Sequence, residues 1–370
     1  MKLFKSLLVA PATLGLLAPI TANATEVNFN AISNYSEEEI EIDINSFKPK
    51  SNQNLLLSGG EGLVDNHSHD GGFSETTVAS FSVDTVLGAI DGDTTSETTS
   101  FDYQFNIGLS TSIGEGQLDI AIDNGSGTAS PTGAKMGFDT GTGLVVDGVT
   151  YSFPVGGASM VVGDATDVSA TFTGACTYSA FTDTTLDDCG TGNSIGAGGK
   201  GVAASIGYAF DSGLSIAGGI SSPTTEIVGD AADLYGLNVA YSADSYGVAV
   251  GYSTDDGGTG AETTTWGLNG YYTFDLASLS VGYETAESGG TDSSGYFVGL
   301  SFPEVGPGSV NIGAATTALF ADDATETLIY EASYSYPVND SMTITPGVFI
   351  EEVDGGDDLT GVAVKSSFSF

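Results

Sequence analysis

From residue 77 to the last residue, apolar and polar side chains alternate with a period of two, the period of a half-buried β-strand. Sixteen such segments are marked, at 77–89, 99–112, 117–123, 149–155, 158–163, 201–210, 214–221, 233–241, 246–254, 263–274, 277–285, 294–303, 309–317, 327–336, 342–352 and 359–370. In the first, Phe81, Val83 and Leu87 oppose Ser80, Ser82 and Asp84. In the second, Phe101, Tyr103, Phe105, Ile107 and Leu109 oppose Asp102, Gln104, Asn106 and Gly108. Leu118, Ile120 and Ile122 then oppose Asp119 and Asp123, and Trp266, Leu268, Tyr272 and Phe274 oppose Thr265, Asn269 and Thr273. The last segment sets Val362, Val364, Ser366, Phe368 and Phe370 against Ala363, Lys365, Ser367 and Ser369.

The connections alternate in kind. Tight turns at 114–116, 156–157, 211–213, 243–245, 275–276 and 338–340 are interleaved with longer acidic, glycine-rich stretches. These stretches are 91–97, 124–148, 164–200, 222–232, 255–262, 286–293, 318–326 and 354–358. Short turns on one rim, long loops on the other and an even strand count predict an all-β fold, a transmembrane antiparallel β-barrel of about 16 strands. Tyrosines and phenylalanines near strand ends, among them Tyr151, Phe153, Tyr208, Phe210, Tyr272, Phe274, Phe368 and Phe370, fit interfacial girdles.

Upstream the pattern changes. Residues 1–24 carry basic Lys2 and Lys5, an apolar stretch and the small-residue site Ala22-Asn23-Ala24, and are expected to be a cleaved signal peptide. Residues 25–72 lack periodicity and are expected to be a periplasmic linker or N-terminal extension, leaving 73–370 as the barrel. No later stretch is apolar for long enough to form a spanning helix.

Charge narrows the function. The chain has 48 acidic residues, a net charge of −41 and no arginine, and loss of Lys2 and Lys5 with the signal leaves five lysines. So few cations argue against nucleic-acid binding and against an anion pore. The 53 glycines and abundant Ser, Thr, Val and Tyr agree with an all-β chain. His67 and His69 are the only histidines and precede the barrel, so a serine–histidine hydrolase on the wall lacks its base. Neither they nor the acidic stretches at 91–93 and 354–358 have the spacing of a metal site. The chain is therefore not expected to be an enzyme or to hold a cofactor. Cys176 and Cys189, the only cysteines, fit an exported protein with one disulfide.

Sixteen strands enclose a water-filled lumen, so selectivity depends on what narrows it. The third long stretch, 164–200, is the longest, and it resembles in order and length the loop that folds into the lumen of general porins. The expected constriction residues are Asp164, Asp167, Cys176, Asp183, Asp187, Asp188, Cys189 and Lys200. A disulfide closing such a ring is worth about 3 kcal/mol through the unfolded state. The strand alternation places Asp84, Asp102, Gln104, Asn106, Asp119, Asp123, Glu284, Glu331, Glu351 and Lys365 toward the lumen. A cavity lined mostly by one sign of charge concentrates the opposite ion, which predicts preference for small cations.

The terminal alternation with Phe368 and Phe370 resembles the last strand of bacterial outer-membrane barrels. In that family it closes the barrel and is the signal read by the assembly machinery. The opening MKLFKSLLVAPATLGLLAPITANATE, the barrel entry FSETTVASFSVDTVLGAIDG and the loop ACTYSAFTDTTLDDCG resemble cyanobacterial outer-membrane porins, which are similar to the carbohydrate-selective porin family. The resemblance implies a monomeric or homotrimeric diffusion channel embedded in outer-membrane lipid and passing ions and small solutes. Many such porins carry an S-layer-homology domain after the signal, whose pattern 25–72 lacks. The alternatives are a solute-specific channel for carbohydrates or iron complexes and a non-conducting adhesin barrel.

Overall fold

The computed structural model describes residues 76–370, except 93–94, 128–129, 139, 199–200, 225–227, 229–230 and 259. The signal peptide, the 25–72 extension with both histidines, and Lys200 lie outside the described residues.

Sixteen antiparallel strands form a closed ring. They are β1 (Thr77–Gly92), β2 (Thr95–Ile113), β3 (Gly116–Gly125), β4 (Val145–Val155), β5 (Ala158–Thr166), β6 (Gly201–Ala209), β7 (Leu214–Ser222) and β8 (Leu234–Ser242), followed by β9 (Tyr246–Asp255), β10 (Thr263–Thr273), β11 (Ser278–Ser288), β12 (Thr291–Val305), β13 (Gly308–Thr316), β15 (Leu328–Asn339), β16 (Met342–Glu351) and β17 (Leu359–Ser369). A two-residue strand, β14 (Phe320–Ala321), adds to the end of β12. Each wall strand pairs with its sequence neighbours, and β17 returns to β1 from Ser369 opposite Ser82 to Thr360 opposite Asp91. Phe81 and Phe370 exchange backbone hydrogen bonds of 2.9 and 3.0 Å at the seam, with their rings stacked 6.0 Å apart. The wall therefore has no free edge.

The alternation sorts the side chains as the pattern predicts. Leu268, Val281, Tyr283, Val298, Ile312, Val348 and Val364 point outward and are exposed, and Trp266 is 55% exposed. The opposite face of the same strands carries Gly, Ser, Thr, Asn and a few acids. Rings pair near the short turns, Tyr151 with Phe153, Tyr208 with Phe210 and Tyr272 with Phe274, at centroid distances of 5.2, 4.7 and 4.7 Å.

Two of the stretches expected as long loops are largely strand. Segment 286–293 is a hairpin paired as far as Ser288 opposite Thr291. Its turn is Gly289-Gly290, with φ of 58° and 81°, the left-handed pair whose twist suits a two-residue hairpin. Around 91–97, β1 and β2 stay paired as far as Gly92 opposite Thr95. The 124–148 stretch instead contains a helix, α1 (Pro131–Lys135). Ser130 caps it by accepting a hydrogen bond from the Gly133 amide, and proline occupies the first turn, where its missing N–H costs nothing.

The outward face yields a prediction. Val364 sits midway along β17 on that face, so Val364→Lys should cost about 2–4 kcal/mol of barrel stability in lipid. Urea unfolding from vesicles measures this; a cost below 0.5 kcal/mol (roughly the noise level for surface substitutions) would show that hydrocarbon does not wet this face.

Candidate functional site

Burial divides the inner face of the ring into two parts. From β8 to β13, inward residues such as Asn238, Ser253, Thr265, Asn269, Ser280 and Glu284 are buried. Along β2 to β4 the inward residues Gln104, Asn106, Asp119, Asp123, Thr150 and Ser152 are only partly buried. The difference is made by the third outer loop, residues 167–198, which covers the first group.

The loop meets successive strands through alternate residues. The Thr171 amide donates to Ser205 Oγ on β6 (3.3 Å), Thr173 to Asn238 Oδ1 on β8 (2.8 Å), Ala175 to Asn269 Oδ1 on β10 (2.8 Å) and Thr177 to Ser280 Oγ on β11 (3.0 Å). Phe181 then packs over Gly347 on β16. A path outside the wall from β6 to β16 would cross nine strand spacings, about 43 Å, whereas ten residues reach at most about 35 Å. The segment therefore runs inside the ring. The chain turns at 183–188 and returns along the upper wall, with Thr191 accepting from Asn269 Nδ2 at 2.9 Å and Ile195 packed over Gly251. At Gly267 and Gly282 a Cβ would collide with Ser194 and with the Cys189 carbonyl, so glycine there lets the loop lie flat against the wall.

Carboxylates of the wall hold the loops. Glu331, 3% exposed, accepts from Tyr178 Oη (2.8 Å), the Phe181 amide (2.7 Å), the Thr182 amide (2.9 Å) and Thr182 Oγ1 (2.6 Å). Glu284, 1% exposed, accepts from the Asn193 amide (3.1 Å), Asn193 Nδ2 (2.8 Å) and Ser194 Oγ (2.6 Å). Asp102, 3% exposed, accepts from Ser126 Oγ (3.3 Å), the Ser130 amide (3.2 Å) and Ser130 Oγ, and so fixes the start of α1. Burial, followed by the charge and hydrogen bond of Glu331, pushes the Tyr178 phenol far above its ordinary value, so it remains a donor.

The second and third loops meet. The Asp183 amide donates to the Lys135 carbonyl (2.9 Å), and the Lys135 ammonium forms an ion pair with Glu351. Met136 and Phe138 of the second loop join Val86, Ile90, Phe181, Leu186, Phe297 and Phe349 in an apolar cluster inside the ring. The second and third loops thus pack against each other as well as against the wall.

The disulfide Cys176–Cys189 spans the turn of the third loop, with Cα atoms 6.5 Å apart. Asp183, Asp187 and Asp188 lie within the ring it closes, and all three are exposed. The Asp188 residue is exposed, yet protein replaces much of the water around its carboxylate. That desolvation, followed by the charges of Asp187, Asp183, Glu284 and Asp167, pushes its pKa up to about 6. Asp187 is raised too, by desolvation first and then by Asp183, and is partly relieved by Lys365. Asp183, Asp188, Glu284, Asn193 and Thr316 border a recess of ≈ 410 Å³ between loop and wall.

The remaining residues singled out from the sequence divide clearly. Asp164 pairs with Val149 on β4 and shares its outward face, with its carboxylate accepting from the Ala165 amide at 2.9 Å. It therefore belongs to the outer face of the wall and not to the third loop, because β5 continues three residues past the expected strand end. Asp167 is exposed at the base of the loop. Asp84, opposite Gln104, and Asn106, opposite Asp123, face inward and are half-buried, and Asp119 accepts from Ser110 Oγ and from Gln117 Nε2 (3.0 Å). Lys365 donates to the Phe181 carbonyl at 3.3 Å. Glu284, Glu331 and Asp102 point inward as expected, but they are covered instead of lining open lumen. Lys135 was not among the expected residues, although Ser130-Pro131 is a helix-start signal that marks its position.

No protein-family model matches the chain, and no curated relative does. Solved structures share its fold. OprB of Pseudomonas putida superposes with a TM-score of 0.64 at 13% identity, covering 80% of this chain and 94% of its own. The anion-selective porin of Comamonas acidovorans gives 0.60 at 14%, with 80% and 99% covered. A loop-deletion mutant of OmpT, an outer-membrane protein of Vibrio cholerae, gives 0.59 at 12%, with 80% and 100% covered. The chain thus has the closed sixteen-strand fold of bacterial outer-membrane porins.

Two predictions come from this geometry. Replacing both cysteines by serine should lower stability by about 3 kcal/mol in urea unfolding, with no loss under reducing conditions, where the parent is already open. Because Asp188 titrates from a raised value, the negative charge of the third loop is complete above about pH 7 and falls as pH drops through about 6. Any cation preference of the protein should therefore weaken between pH 7 and pH 5, as read from reversal potentials, and a preference flat across that range would contradict the assignment.

Proposed function

We propose that the protein forms a water-filled, cation-preferring diffusion channel across an outer membrane, passing inorganic cations and small hydrophilic solutes. The carrying observation is the exposed acidic charge of the third loop. Asp167, Asp183, Asp187 and Asp188 are the only charged residues of the described third loop, and all are exposed. The two lysines among the described residues are engaged, Lys135 with Glu351 and Lys365 with the Phe181 carbonyl. An excess of one sign in a confined space raises the local concentration of the other. The outward apolar band is suited to outer-membrane lipid, and the partly buried polar face of β2–β4 supplies the opposite wall of an aqueous path.

Fold likeness does not supply the sign of selectivity, since one neighbour of the same fold is anion-selective by name. The sign comes from this chain's side chains. Screening over about 8 Å at physiological ionic strength keeps the preference moderate. Purified protein in a planar bilayer under a KCl gradient should give stepwise currents with a reversal potential of the cation-selective sign. A chloride-selective sign would reject the preference, and the absence of steps would reject the channel.

A further inference from the structure

We infer that Asp102, Glu284 and Glu331 are positioning residues that staple the second and third loops to the wall, and that Asp183, Asp187 and Asp188 on the third loop set the ion preference. This rests on the channel reading and divides the inward carboxylates into two groups with different work.

The division follows from acceptor capacity. An ionised carboxylate has about four lone-pair positions. On Glu331 four loop donors fill them: the Tyr178 hydroxyl, the Phe181 and Thr182 amides and the Thr182 hydroxyl. Glu284 accepts from three donors of Asn193 and Ser194, and Asp102 from three of Ser126 and Ser130, so that both oxygens of each are hydrogen-bonded. None of the three is more than 3% exposed and both oxygens of each are hydrogen-bonded, so a hydrated ion passing the lumen meets no unbonded carboxylate oxygen there.

The loop supplies the reason for this arrangement. A segment crossing the strands cannot join their ladder, so its N–H groups need other acceptors. Hydroxyls and amides serve on β6, β8, β10 and β11, each of which accepts one loop N–H. At the bend, two consecutive amides and two hydroxyls converge on one point of β15, and only a carboxylate accepts them all. Asp183, Asp187 and Asp188 follow directly along the chain, inside the disulfide ring and exposed. A fixed bend therefore presents free charges at a fixed place.

Single-channel recordings on the purified full chain in planar bilayers separate the two groups. Glu331→Gln replaces an acceptor oxygen by an NH2 facing the loop's own donors. Its current should break into several sublevels with open-channel noise raised severalfold, while the reversal potential moves less than half as far as in the D187N/D188N double variant. That double variant should keep one quiet conductance level and shift its reversal potential toward zero. A quiet E331Q channel with the full potential shift would make Glu331 a lumen charge and overturn the assignment. Thr182→Val and Thr182→Ser test the same staple with little risk to folding: Val removes one donor, whereas Ser keeps it. Noise in the valine variant with quiet recordings from the serine variant supports the staple; equal, wild-type recordings from both overturn it. Lack of any step in the parent protein would instead remove the channel reading underneath.

Discussion

The structure depends on closing the backbone hydrogen-bond ladder on itself. A strand that leaves its amides and carbonyls unpaired in hydrocarbon loses several kcal/mol per group (about the cost of burying any unpaired amide). The ring from β1 through β13 and β15–β17 back to β1 leaves no such edge. Closure fixes much else. With every neighbour antiparallel, an even number of strands is required, and both ends of the wall must reach the same rim, where Phe81 meets Phe370. Once the edges are gone, each strand has only an outer and an inner face. The period-two pattern then decides which side chains meet lipid and which meet the enclosed space.

The enclosed space is a second interior with its own rules. Water fills it where nothing else does, so its wall is polar. Where the third loop lies on the wall, polar groups become buried and need partners. An unpaired buried amide costs about 1–3 kcal/mol, and the sequence meets this strand by strand with Ser205, Asn238, Asn269, Ser280 and Glu331. Small residues have a matching role, because a methyl group at Gly267 or Gly282 would lift the loop from its seat. A smaller apolar cluster, including Phe138, Phe181 and Phe349, closes the gap between the two loops. The loops are thus packed by the rules of a soluble core, although they lie inside a barrel.

The wall was legible in the sequence and the loops much less so. Alternation marks a strand by itself, and all sixteen wall strands overlap the segments it predicts. The misjudged pieces were connections. Gly289-Gly290 was taken as part of a loop because glycine and acids signal irregular chain, although two adjacent left-handed glycines are also a tight hairpin. Asp164 reads as part of the third loop because the expected strand stops at Gly163, whereas β5 runs on to Thr166 and keeps Asp164 on its outer face. For Glu284 and Glu331, alternation gives the face but not whether that face is covered. That depends on a loop more than ninety residues away in sequence, a contact with no local trace.

This separation of information bears on how such a channel acquires its properties. The ring fixes the diameter of the lumen through strand number, which is a backbone quantity. The path of the third loop is fixed by acceptors on the wall, and the charge it presents is fixed by three residues at its bend. Changing those three would leave the acceptors, the glycines and the disulfide in place, since none of them uses an exposed carboxylate. The same ring and the same staples are therefore compatible with either sign of charge, and the proposed preference for cations rests on the bend alone. The two lysines among the described residues act differently: Lys135 is paired with Glu351, whereas Lys365 donates to the neutral Phe181 carbonyl, keeps its charge and offsets Asp187 in part. On the proposed channel reading, selectivity follows from which charges the packing leaves exposed.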